Sequence, residues 1–71
     1  MYRVLVVIEK AKNNFSAYCP DLPGCVATGK TRVEVEKNIA EALELHIEGL
    51  REEHLPLPKP QASAEFIAIA K

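Results

Sequence analysis

Tryptophan is absent from this 71-residue sequence, and cysteine, glycine and aspartate are scarce. Each shortage excludes something. Three separated glycines leave no loop able to cradle a phosphate. One aspartate, Asp21, with most glutamates spread along one predicted helix, gives no carboxylate cluster for metal-assisted hydrolysis. Cys19 and Cys25 are separated by five intervening residues, the wrong spacing for a two-residue redox motif and two ligands short of a structural zinc site. They are expected to be reduced thiols packed in or near strands, with a cross-hairpin disulfide as the alternative. Ser16 and Ser63 have no glycine elbow around them. His46 falls within an apolar helical stripe and is expected as a partly buried core histidine, not as the base of a cysteine nucleophile. No enzyme, metal or cofactor is expected.

Charge and hydropathy exclude further classes. A net charge of −1 argues against a domain that binds nucleic acid as a whole, which needs a basic excess. No apolar run is long enough to cross a bilayer, and the first strand-like run lacks the basic flank of a signal peptide. A cytoplasmic protein is expected. With 48% hydrophobic and 27% charged residues, the composition is that of one globular domain with a thin core, which favours an oligomeric partner.

Alternation predicts strands over residues 2–8, 15–19 and 25–29. The first two form a hairpin across Asn13-Asn14, and Pro20 to Gly24 make a loop in which Pro20 and Pro23 fix φ and Gly24 is free to take a positive φ. Thr31 and Glu34 predict a capping box. Val35, Ile39, Ala42, Leu43, His46 and Leu50 then keep helical spacing to about Glu53. Pro56, Pro58 and Pro60 forbid continuation and make a stiff linker. A fourth strand is expected over Glu65 to Ala70. The expected fold is α+β, in the order β-β-β-α-β: one four-stranded mixed sheet with a single helix on one face. A right-handed return would set the fourth strand parallel to the first and make the first central.

One helix covers one face of a sheet. Leu5, Val7, Ile67 and Ile69 therefore need a cover that the chain lacks, and they are the expected interface of a homo-oligomer, a dimer or higher. On the helix's outer side Glu34, Glu41, Glu48 and Glu52 fall within about 40° of one another, with Glu44 and Leu45 adjacent and Lys37 and Arg51 softening the stripe at its edge. The plain reading is a solvated face; the functional one is a surface matched to a basic partner, using Glu41, Glu44, Leu45 and Glu48. Asp21 is a further candidate contact, or a cap for loop amides.

The stretch Tyr18-Cys-Pro-Asp-Leu-Pro-Gly-Cys-Val, followed by Gly29-Lys-Thr, Asn38-Ile-Ala-Glu-Ala-Leu-Glu-Leu and Pro56-Leu-Pro-Lys-Pro, resembles the HicB antitoxin domain over nearly the whole chain. The resemblance implies a β-β-β-α-β, partial ribonuclease H-like fold. It also implies a HicA-type toxin as partner, a small basic ribonuclease that cuts messenger RNA and is neutralised when its active site is covered. Many family members carry a C-terminal DNA-binding domain. Here residues 1–71 are read as a single HicB-like domain without one, so direct DNA binding and autorepression are not implied. The alternative function is a stand-alone oligomeric regulatory or ligand-binding domain with no toxin partner.

Overall fold

The computed structural model describes all residues from Met1 to Lys71. Three strands, β1 (Val7–Lys10), β2 (Phe15–Tyr18) and β3 (Val26–Gly29), form an antiparallel meander in the order β1-β2-β3, and one helix, α1 (Arg32–Glu52), packs across β3 and β2. The α+β class and the three-strands-then-helix order agree with expectation; the four-stranded mixed sheet does not. The central strand is β2, not the first. Val7 pairs with Tyr18 and Tyr18 with Val26, so one strand lies between two.

The physical reason for the shorter β1 lies in β2. After Tyr18 the backbone turns, with the Leu22 amide donating to the Cys19 carbonyl at 3.2 Å. Residues 2–6 therefore have no strand opposite them to complete a ladder. Residues 55–71 include no strand, so the predicted fourth element is an exposed tail in the single chain. Its alternation satisfies a strand's side-chain pattern, but no strand of its own chain pairs with it.

Even-numbered residues of the first segment and odd-numbered residues of the second point toward α1. Ala17, Val35 and Ile39 are buried together, with Val6, Ile8, Phe15, Ala27 and Leu43 around them. A second cluster buries Cys19, Leu22 and Cys25 against Val4 and Leu43. Leu43 touches both and joins them into one core.

The helix begins where predicted. The Thr31 side chain accepts from the Glu34 amide at 3.1 Å, the N-cap half of the expected box. Asn38 Nδ2 donates to the Thr28 carbonyl at 2.8 Å and ties the second helical turn to β3. Gly29 makes this approach possible: a Cβ there would sit 2.6 Å from the Val35 backbone nitrogen. The C-terminus closes in a Schellman motif, with His54 N–H donating to Arg51 C=O at 3.1 Å and Leu55 N–H to Leu50 C=O at 2.9 Å. His54 holds the left-handed position at φ 58° that glycine usually fills.

Candidate functional site

Two surfaces carry the residues singled out from the sequence. The first is the outer face of α1. Because Val35, Ile39, Leu43 and Leu50 turn inward, the 3.6-residue period directs Glu41, Glu44, Leu45 and Glu48 outward, and all four are exposed. Leu45 is 71% exposed, a large apolar side chain standing among carboxylates. Single exposed leucines are ordinary, but one bordered by a row of carboxylates has the composition of a contact anchor for a basic surface.

The second is the Pro-Asp-Leu-Pro-Gly-Cys loop. It folds back on itself: Cys25 N–H donates to Leu22 C=O at 3.1 Å and Cys19 N–H to Cys25 C=O at 3.2 Å. Gly24 takes φ +92°, which a side chain would resist, and Leu22 is driven into the core at 1% exposure. The loop is therefore a plug for one end of the core.

Asp21, on that loop, is half-buried and already engaged. Its Oδ1 accepts from the Gln61 amide and both its oxygens from the Ala62 amide, each at 3.2 Å. Nearby, the Tyr2 hydroxyl donates to the Pro58 carbonyl. Together they fasten residues 58–62 to the end of the sheet where β1 begins and the β2–β3 loop turns. Asp21 thus holds backbone of its own chain and is not drawn into the α1 stripe. Sequence reasoning gave no sign of the Tyr2 tether, because a bond across 56 positions leaves no local pattern.

Both cysteines are free thiols and buried. Burial, and then the neighbouring Cys19, push the Cys25 thiol up from its ordinary value, which disfavours the thiolate a nucleophile needs. Burial first, then Cys19 and Asp21, push up the Tyr2 phenol in the same way. No group of three or more His, Cys, Asp or Glu side chains is placed to hold a metal ion. The broadest depression, about 740 Å³, lies between the β1–β2 turn and the start of α1. It is lined by residues such as Asn13, Asn14, Lys30 and Asn38, with Glu34 its only carboxylate.

Of the expected oligomer residues, Leu5 and Val7 are half-buried in the first segment, whereas Ile67 and Ile69 are 76% and 78% exposed. One chain does not bring the two pairs together. The register adds two residues that the sequence reading passed over. Val7, Tyr18 and Val26 form one cross-strand row, on the sheet face that α1 leaves open. The alternation of β2 and β3 held that signal, but only the register shows which residues share the row.

Fold and surface together define a small α+β domain with one acidic helical face and an apolar row on its open sheet face. The profile of the HicB_like antitoxin family of bacterial toxin–antitoxin systems matches residues 2–70. A UPF0150 protein of Synechocystis is 45% identical over 70 residues, covering 97% of this chain and 89% of the relative. An uncharacterised 14.9 kDa protein of Haemophilus phage HP1 is 37% identical over 62 residues, and this chain spans 47% of its length. Among solved structures, a chain of the HicA3 and HicB3 toxin–antitoxin complex superposes with a TM-score of 0.63 at 37% identity, covering 83% of this chain and 72% of that one. The chain belongs to the HicB-like antitoxin family. No helix is long and apolar enough to cross a membrane.

Proposed function

We propose that this chain is the protein-binding antitoxin of a toxin–antitoxin pair. It would neutralise a HicA-type, messenger-RNA-cleaving toxin by covering the toxin's active site, with no chemistry of its own. The observation that carries this reading is the exposed α1 face, where Glu41, Glu44 and Glu48 line one side of Leu45. A ribonuclease must present positive charge to phosphates, and a row of carboxylates occupies the same charge complement while speeding encounter. Leu45 then supplies the desolvated anchor that a purely charged contact lacks. The likeness to a chain of the HicA3–HicB3 complex supports the choice of partner class.

The test is coexpression with a basic HicA-type protein encoded in an adjacent reading frame, followed by pull-down and an RNA-cleavage protection assay. The intact chain is expected to copurify and to protect the RNA. Glu41→Lys, Glu44→Lys and Glu48→Lys together are expected to abolish protection while leaving the helical circular-dichroism signal in place. Unchanged affinity in that triple variant would remove the helix face from the reading. Absence of any toxin affinity would leave the stand-alone oligomeric domain as the function.

A further inference from the structure

The tail departs from the body at a defined point. Residues 63–71 are exposed throughout, and Phe66 is as open as in an extended peptide, at 101%. The radius of gyration, 14.1 Å, exceeds the about 11 Å of a compact chain this long. Such a segment, alternating Phe66, Ala68 and Ala70 with Ile67 and Ile69, has a strand's pattern and no sheet. β1 has the opposite deficit. It is an edge strand, and residues 3–6 before it pair with no strand, so the outer side of residues 3–9 offers unpaired amides and carbonyls.

We propose that the tail of one chain adds as a parallel strand to the free β1 edge of a second copy, each chain of a twofold dimer donating to the other. The register follows from charge and pattern. In parallel alignment Ile67 falls beside Leu5 and Ile69 beside Val7 on the open sheet face, while Glu65 meets Arg3 and Lys71 meets Glu9 at the two ends. Phe66, Ala68 and Ala70 then lie beside Val4, Val6 and Ile8, on the face where those three join the core. The antiparallel alternative that keeps the same isoleucines opposite Val7 and Leu5 sets Glu65 against Glu9 and Lys71 against Arg3. Like charges directly opposite are destabilising, so the parallel register wins.

The occupant is a second copy because of the anchors. Tyr2 and Asp21 fix residues 58–62 at the end of the sheet where β1 begins, yet residues 63–71 stay exposed and do not pair with the free β1 edge of their own chain. With those bonds intact the tail leaves its own body, and nine extended residues reach about 30 Å. Exchange of an identical element is an economical route to a symmetric dimer, and the added strand removes the exposed edge in both copies. The acidic face of α1 takes no part, so this inference stands or falls separately from the toxin reading.

The test uses the full chain. Light scattering is expected to give twice the 7.9 kDa chain mass. The double variant Leu5→Cys, Ile67→Cys, treated with a short thiol crosslinker, is expected to give a covalent dimer on a denaturing gel, with the unsubstituted chain as blank because Cys19 and Cys25 are buried. A link within one chain, a monomeric mass, or a dimer without the inter-chain link would each overturn the proposal. For the register, Arg3→Glu or Glu65→Lys alone is expected to raise the dimer dissociation constant about tenfold, and the two combined to restore it. Lack of that rescue would overturn the parallel alignment.

Discussion

Asp21 and Ala62 are 41 positions apart, yet both oxygens of the Asp21 carboxylate accept the Ala62 amide at 3.2 Å. The Pro-Asp-Leu-Pro-Gly-Cys loop is in this way a clamp on the segment that follows the helix. Asp21→Ala is expected to release that segment without disturbing the sheet or α1, at a cost of about 1 kcal/mol, the usual net worth of a partly solvated hydrogen bond. Amide exchange at Gln61 and Ala62 is the sensitive readout. Both should lose protection in Asp21→Ala and keep much of it in Asp21→Asn, whose remaining oxygen can still accept. Unchanged exchange in the alanine variant would show that the prolines alone hold the linker.

Gly29 and Val35 set the distance between sheet and helix. An added Cβ would lie 2.6 Å from the Val35 nitrogen and 2.9 Å from its Cα, both backbone atoms that cannot rotate away. Gly29→Ala must push the first helical turn off β3, where Asn38 bonds the Thr28 carbonyl. A loss of about 1–3 kcal/mol is expected from overpacking, measured by urea denaturation. Gly49→Ala is the contrast: nothing lies within 4 Å of its added methyl, so the better helix former should stabilise.

The parts of this architecture legible in the sequence are those fixed by neighbours. The helix was readable almost to the residue, since its cap, Thr31, and its stripe, Val35 to Leu50, are local patterns. So were the two strands that flank the Pro-Asp-Leu-Pro-Gly-Cys loop. The order of strands was not. Apolar residues on both faces of the first segment suggest a central strand, but Leu5 and Val7 belong instead to an edge with one face left open. The candidate surface divides in the same way. Periodicity placed Glu41, Glu44, Leu45 and Glu48 on one face, whereas the engagement of Asp21 by Gln61 and Ala62 depends on a long-range return that no spacing encodes.

His54 is the one non-glycine residue with a positive φ, at the C′ position of the helix. A side chain in that conformation costs roughly 1 kcal/mol or more, because its Cβ crowds the following carbonyl. Removing it costs some unfolded-state entropy. His54→Gly is therefore expected to stabilise the fold by about 0.5–1 kcal/mol, seen as a raised urea midpoint with an unchanged slope. His54→Val, with a branched Cβ, should move the midpoint the other way. His54 is exposed, so neither change disturbs the core.

Tyr2 and Cys25 make the fold sensitive to alkali. Burial leads the upward push on each, from 10.0 for the phenol and from 9.0 for the thiol, so the folded state holds both protons more tightly than the unfolded chain does. Their contribution is fully present below the unfolded values and is lost as pH rises through the folded ones. Stability should be level up to about pH 8 and decline from about pH 9 upward, first through Cys25 and then through Tyr2. Ionised Tyr2 can no longer donate to the Pro58 carbonyl, so the tail's attachment loosens in the same range. Tyr2→Phe should lower stability at neutral pH, where the hydrogen bond is lost, yet flatten the decline above about pH 10. Urea midpoints measured across this range decide the matter. An equally steep alkaline decline in Tyr2→Phe and in Cys25→Ala would show that neither group carries it.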